Sequence, residues 1–388
     1  MIGPFPTKLG DVEQLETAPR VTVPFLDLGA IHAPLKEELL ADFARLIDTN
    51  AYVNGPAVAE LEDDFAAYCG TEHCVGLASG LDALRLGLQA AGLEPGDEVI
   101  VPAQTFIATY EAVTQAGGRP VPVDVSNGDY NLDPALVEAA VTPRTRFLLP
   151  VHLYGQLADV KALRAIAERR GLQLVEDAAQ AHGAERDGIR AGQAGLWGAF
   201  SFYPGKNLGA MGDAGALVTN DEALATRLRA LREHGQRAKY IHEWEGWTAR
   251  LDTLQALVLL RKLRLLDGWN LQRRAAARAY AERLAGLGDL VLPAVAHASE
   301  PVWHLYVVRT AAPVALGDFL RERGIGTGRH YPQAPHLSPA YAHLGHREGA
   351  FPVAETLARD GLSLPIFPGL SDAQVDAVVS GVRAYFGG

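Results

Sequence analysis

From Cys74 to Thr219 the chain keeps returning to one unit, a short apolar run followed by a stretch of helical length and periodicity. Residues 75–78, 98–101, 120–125, 147–151, 172–176, 198–202 and 214–219 read as strands, with helices between them, the clearest over 159–170. Strands spaced by helices of this size need right-handed crossovers, so they line up in a mainly parallel sheet covered on both faces. The α/β class follows from this rhythm alone.

The flanks divide the rest of the chain. Residues 1–22 are a polar, Pro-bearing lead-in, followed by amphipathic helices over 34–48 and 56–68. The large α/β domain is assigned to 23–250. Residues 251–287, rich in Leu, Arg and Ala, read as a long connecting helical segment interrupted only by Gly268. Residues 288–388 read as a smaller C-terminal α+β domain, with a strand over 303–308, a helix over 315–323, a Pro- and His-rich loop over 330–339, and helices near Val353 and Ala373.

Composition removes several function classes. With 35 basic and 46 acidic side chains the formal net charge is −11, which disfavours an electrostatic grip on a nucleic-acid backbone. An anionic ligand therefore needs a local site. No apolar run is long enough to span a membrane and the N-terminus lacks the apolar core of an export signal, so the expected setting is the cytoplasm. Cys69 and Cys74, the two cysteines, form no CxxC pair and suit free thiols in a reducing compartment. Twelve histidines invite a metal search, but His242-Glu243 has no second histidine at the required spacing, and no metal site is assigned.

Two stretches carry chemistry. In residues 172–183 an apolar strand runs directly into Glu176, Asp177, Gln180 and His182. Groups just past the carboxyl end of a parallel strand face the ligand crevice, which places Asp177 well, although a carboxylate there can also cap the next segment. In residues 200–215 Lys206 stands among aromatics, small residues and glycines. Asn207 follows it where a nucleotide-binding phosphate loop needs Ser or Thr, so that motif is rejected. A lysine in a low-dielectric pocket has a lowered pKa and becomes a usable amine; in a solvated glycine-rich turn it is ordinary.

Together the stretches supply the parts of a pyridoxal phosphate site. Lys206 lies 29 residues after Asp177, and Ser201 lies five residues before Lys206. The cofactor is an electron sink only while its ring nitrogen stays protonated, which an adjacent carboxylate favours, and its aldehyde needs a lysine.

With these residues in view the chain resembles the sugar aminotransferases of the DegT/DnrJ/EryC1/StrS family, from about Phe25 to Phe386. The resemblance is carried by Ala78-Ser79-Gly80-Leu81-Asp82-Ala83-Leu84, Thr105-Phe106-Ile107-Ala108-Thr109, His152-Leu153-Tyr154-Gly155, the two stretches above, Arg250-Leu251-Asp252 with Gln255, Trp303-His304-Leu305-Tyr306, and His330-Tyr331-Pro332. It implies the type I, aspartate aminotransferase fold of pyridoxal phosphate-dependent transferases. It also implies that Lys206 carries the cofactor as a Schiff base and moves the proton, that Asp177 pairs with the pyridine nitrogen, that Gln180 approaches the phenolic oxygen, and that Phe106 stacks on the ring. The phosphate is expected where Gly80 and Leu81 open a helix, with Ser201 adding a hydroxyl.

The family pattern also suggests the substrates. Gly80-Leu81-Asp82, where many relatives have Thr for Leu81, and residues 152–156 resemble the branch that aminates C-3 of thymidine-diphosphate 3-keto-6-deoxyhexoses. An amino acid, glutamate, is the expected donor, and a homodimer with shared sites the expected assembly. Thr248-Ala249 replaces the usual Asn-Ser in a loop that in relatives reaches the neighbouring subunit's cofactor phosphate; Thr248 keeps a hydroxyl. Arg250, Arg329, His330 and Tyr331 are candidates for the nucleotide sugar, with structural ion pairs as the alternative for the arginines. Retention of Lys206 argues against the related sugar 3-dehydrases, which have histidine there. Amination of a cyclitol or other cyclic ketone, and a non-catalytic sensor on the same fold, stay open as rival functions.

Overall fold

The structure, a computed structural model, describes residues 21–387. The lead-in assigned to 1–22 lies, but for its last two residues, outside the described residues. The centre is a sheet in two hydrogen-bonded sets. One has the order His73–Leu77, Gly215–Thr219, Trp197–Ser201, Glu176–Asp177, and the other Arg119–Val123, Glu98–Pro102, Thr145–Leu148, Gln173–Leu174. The sets are one sheet, because Gln173–Leu174 and Glu176–Asp177 are consecutive pieces of a single run. Val175 N–H donates to Leu148 O and Asp177 N–H to Pro150 O, both at 3.0 Å, and these bonds carry the second set across the break.

The pairings Glu98–Pro102 with Arg119–Val123 and Thr145–Leu148, Thr145–Leu148 with Gln173–Leu174, and Glu176–Asp177 with Trp197–Ser201 are parallel. Gly215–Thr219 runs antiparallel to both its neighbours. The mainly parallel sheet inferred from the strand–helix rhythm is therefore present, with this reversed strand inserted. Glu98–Pro102 and Gly215–Thr219 are buried on both faces, and for that reason they read as nearly continuous apolar runs rather than alternating ones.

Caps set the helix positions around the sheet. Ser79 accepts from Asp82 N–H to start Gly80–Ala90, Asp159 accepts from Ala162 N–H to start Val160–Arg170, and Gly171, at φ 66°, ends the latter. Residues 251–287 form two helices, Thr253–Leu263 and Leu266–Leu284. The break falls at Arg264 and Leu265, where Leu265 N–H bonds back three residues to Lys262 O. Gly268, expected as the interruption, lies in the first turn of the second helix, where its N–H has no intrahelical duty.

The C-terminal part builds its own core around Tyr280, Leu284, Tyr306, Leu320 and Val379, and Val23 from the start of the described chain joins it. Its two-stranded sheet pairs Tyr306–Arg309 with Gly361–Leu364 antiparallel, and Gly328 extends it by bridging Ser363. Trp303 packs on Tyr306 at 5.3 Å between ring centroids, at the edge of this core. Cys69 and Cys74 are buried free thiols.

Candidate active site

The segments that follow His73–Leu77, Glu98–Pro102, Glu176–Asp177 and Trp197–Ser201 all emerge at one edge of the sheet and meet there. They enclose a cavity of about 520 Å³, closed on its far side by residues of the C-terminal part, among them His304, His330 and Tyr331. This size suits a small-molecule site. Of the residues singled out from sequence, Gly80, Leu81, Phe106, Asp177, Gln180, Ser201, Lys206, His330 and Tyr331 line it. Thr248, Arg250 and Arg329 do not.

Asp177 ends its strand with its carboxylate buried. Thr109 Oγ1 donates to Oδ2 at 2.8 Å and Ala179 N–H to Oδ1 at 3.2 Å. Burial nonetheless raises its pKa, with the hydrogen bonds and the charge of Lys206 opposing. Across the cavity, burial lowers the Lys206 amine to about 8, against a smaller opposing effect of Asp177. An acid that needs a cation and a lysine that readily gives up its proton thus face the same space.

At one end Gly80 opens a helix directly against Ser201. A Cβ on Gly80 would meet Ser201 Cβ at 2.6 Å, so only glycine lets the helix N-terminus sit this close. The free N–H groups of that first turn, the dipole and the Ser201 hydroxyl make an anion cradle. Leu81 contributes only its backbone there.

Gln180 is held by Tyr154 N–H, which donates to Oε1 at 2.6 Å, while its Nε2 donates to Tyr331 Oη at 3.2 Å. A second amide proton remains for a ligand oxygen. Phe106 is half exposed, at 49%, and packs against Tyr331 with ring centroids 5.3 Å apart. His330 stacks on Phe25 and its Nδ1 lies 2.8 Å from Ser363 Oγ; burial, with Lys206 nearby, lowers it to about 4.

The remaining three residues are engaged elsewhere. Arg250 pairs with Glu233 at 2.6 Å. Arg329 donates to the carbonyls of Ala358, Arg359 and Gly361, at 2.6, 2.6 and 3.1 Å, which closes the end of helix Pro352–Asp360. Thr248 is exposed in the loop before Ala249, its hydroxyl 3.3 Å from His234 Nε2. His182, for which the sequence suggests no role, is buried among Phe65, Phe200 and Phe202, with no hydrogen-bond partner for either ring nitrogen among the described residues.

Sequence reasoning missed Thr109, His304 and Arg273. Thr109 stood inside a quoted motif without a role, and its spacing of four from Thr105, whose hydroxyl lies 2.9 Å away, was the available sign. His304 Nδ1 lies 3.2 Å from Asn207 Oδ1, beside the lysine. Arg273 occupies the buried stripe of helix Leu266–Leu284, in line with Leu266, Asn270, Ala277, Tyr280 and Leu284, where an apolar residue is expected.

Comparison with known proteins gives the family and the fold. The chain is 53% identical over 363 residues to the dTDP-3-amino-3,4,6-trideoxy-alpha-D-glucose transaminase of Streptomyces venezuelae, covering 94% of this chain and 96% of that one. It is 51% identical over 362 residues to the erythromycin biosynthesis sensory transduction protein EryC1 of Saccharopolyspora erythraea, covering 93% and 99%. The crystal structure of S. venezuelae DesV in complex with a ketimine intermediate superposes with a TM-score of 0.92 at 53% identity, over 94% of this chain and 98% of that one. A family model matches residues 34–383, and the chain belongs to the DegT/DnrJ/EryC1/StrS aminotransferase family.

Proposed function

We propose that the protein is a pyridoxal phosphate-dependent aminotransferase. It moves the amino group of an amino acid, glutamate, onto a keto sugar nucleotide, at C-3 of a thymidine-diphosphate 3-keto-6-deoxyhexose. The observation that carries this is the placement of buried Asp177 and the low-pKa amine of Lys206 on one cavity at the carboxyl edge of the sheet. The S. venezuelae relative, a transaminase by its description, supports the substrate class.

The residues fit the cofactor. Asp177, a carboxylate whose pKa is raised by burial, suits a protonated ring nitrogen, and the Gly80 and Ser201 cradle suits a dianionic phosphate. When bound, pyridoxal phosphate supplies an aldehyde for the amine and an electron sink for the carbon that loses its proton. Thr109 and Ala179 hold the acid in place. Phe106 offers a flat apolar face, and the free N–H of Gln180 an oxygen contact. Lys206 takes up and returns the proton at the substrate carbon, with a pKa near working pH. His330 and Tyr331, on the opposite wall, contact the sugar.

A homodimer in the cytoplasm completes the reading. Exposed Tyr52, Val53, Tyr240, Ile241 and Trp247 give an apolar surface in the region of the Thr248 loop, in keeping with a Thr248 that serves a second copy's site. The donor and acceptor steps share one site, so initial-rate plots for the two substrates should be parallel.

The description of the S. erythraea relative favours a second reading, a non-catalytic sensor. One experiment separates them. Holoprotein is mixed with glutamate, glutamine and other amino acids while the visible band of the lysine-bound cofactor is followed. The enzyme reading expects the band to bleach with at least one donor and to return on addition of the keto sugar nucleotide; a band inert to every donor favours the sensor.

A further inference from the structure

The cavity contains a cation for which the reading above provides no anion. Arg273 projects from the middle of helix Leu266–Leu284, is 2% exposed, and lines the same cavity as Lys206 and His304. Its Nη1 is spent on the carbonyls of Trp303, His304 and Ile366, at 3.1, 3.4 and 2.8 Å. Its Nε has no partner, and Nη2 has none among the described residues. No described carboxylate pairs with it, and burial lowers its pKa to about 9 without opposition from any acid. A buried guanidinium with two unused donor groups is costly unless an anion reaches it.

The cavity places this cation apart from the phosphate cradle. Gly80, Leu81 and Ser201 form one end, whereas Arg273 is fastened to the backbone at Trp303, His304 and Ile366 of the C-terminal part. His304 is near both cations, and its imidazole is kept neutral by burial and by the charges of Lys206 and Arg273. Glu111 and Asp213 line the cavity too but neither pairs with Arg273. A diphosphate carrying a nucleoside and a sugar is too large for so deep a position. A carboxylate is not, and its planar pair of oxygens matches two guanidinium N–H groups.

We propose that Arg273 is the subsite for a carboxylate of the amino donor, an assignment that rests on the aminotransferase reading above. The guanidinium is preset by its three carbonyl contacts, so it needs no rearrangement when the donor enters. Donors lacking that carboxylate lose both the ion pair and the compensation of a buried charge. The keto sugar, which has no carboxylate, is indifferent to Arg273.

The test pairs a substitution in the protein with one in the donor. Holoenzyme and its Arg273→Gln variant are each mixed with L-glutamate, L-glutamine and the α-amide of glutamate, and the rate constant for bleaching is divided by donor concentration. In the wild-type protein, replacing the recognised carboxylate by an amide should cost about 10²-fold, a size typical of breaking a buried charge pair. Which amide suffers tells whether the α- or the γ-carboxylate is held. In the variant that penalty should fall to within about threefold of none, each amide being compared with glutamate in the same protein. An equal penalty in both proteins overturns the assignment, as does a wild-type protein indifferent to both amides.

Calorimetric binding of glutarate, an unreactive dicarboxylate, gives an answer without turnover: binding at least tenfold weaker in Arg273→Gln is expected, and equal binding overturns the assignment. If no donor bleaches the wild-type protein, the aminotransferase reading fails and the glutarate result still decides this one. Should the glutamine variant lose the cofactor, Arg273→Lys carries the same comparison, with a reduced penalty expected and an unchanged one contradicting.

Discussion

Thr109 Oγ1 donates its proton to Asp177 Oδ2 at 2.8 Å, which fixes the direction of a short chain of hydroxyls. A carboxylate only accepts, so Thr105 Oγ1, 2.9 Å from Thr109 Oγ1, must donate to Thr109. With Ala179 N–H on the other oxygen, the carboxylate is held from behind and keeps lone pairs for the cavity.

Thr109→Val removes that bond while keeping the volume. A hydrogen bond to a charged group contributes about 1.5–3 kcal/mol, so kcat should fall by roughly 10–10²-fold. Burial already raises the Asp177 pKa and losing a donor raises it further, so the acid limb of the pH–rate profile should move to higher pH. Thr109→Ser should restore both. Steady-state rates across pH check this; an unmoved acid limb in the valine variant contradicts it.

Lys206 ties stability to pH in the cofactor-free protein. Its pKa is about 8 in the fold, against an ordinary 10.5, so between these values the unfolded chain binds more protons than the folded one. Stability from this group therefore rises with pH across that window, and the burial penalty is in full force below pH 8. The difference in unfolding free energy between Lys206→Met and wild type, in the variant's favour at pH 7, should shrink by up to about 3 kcal/mol by pH 10.5. Urea denaturation at several pH values measures it; a difference independent of pH contradicts the lowered pKa. Lys262, also lowered to about 8, titrates equally in both proteins and cancels.

Arg329 ends helix Pro352–Asp360 through three backbone carbonyls. Arg329→Ala should lower the unfolding free energy by about 1–3 kcal/mol and leave the KM for the sugar nucleotide unchanged. A raised KM with stability intact would instead return the residue to the substrate site.

Much of this was legible in the sequence, for a physical reason. A strand buried on both faces must be an apolar run, so Asp177 after residues 172–176, and Lys206 after 198–202, could be assigned to the same sheet edge before any coordinates. The reversal of Gly215–Thr219 was not legible, because parallel and antiparallel strands buried on both faces have the same composition. Nor was the fate of the arginines. Arg250, inside a motif, and Arg329, next to one, spend their charge on Glu233 and on a helix end, whereas Arg273, in a segment read as a plain connector, is the one of the three that reaches the cavity. A count of cations cannot separate these cases, because nothing in a sequence says which carbonyls will converge on a guanidinium. The heptad-like stripe that includes Arg273 was the missed sign.

The protein also contains its own control for the assignment of Lys206. Lys262 is a second lysine removed from solvent, with its pKa lowered to a similar value, but its amine donates to Gly209 O, lies 2.7 Å from His32 Nε2, and does not line the cavity. Reactivity set by burial alone would label both amines, whereas an active-site role labels one. Borohydride reduction of the pyridoxal phosphate-loaded protein, followed by digestion and peptide mass spectrometry, should find a single pyridoxyl adduct, on the peptide containing Lys206. An adduct on Lys262 or another lysine with Lys206 unmodified would contradict the account at its centre.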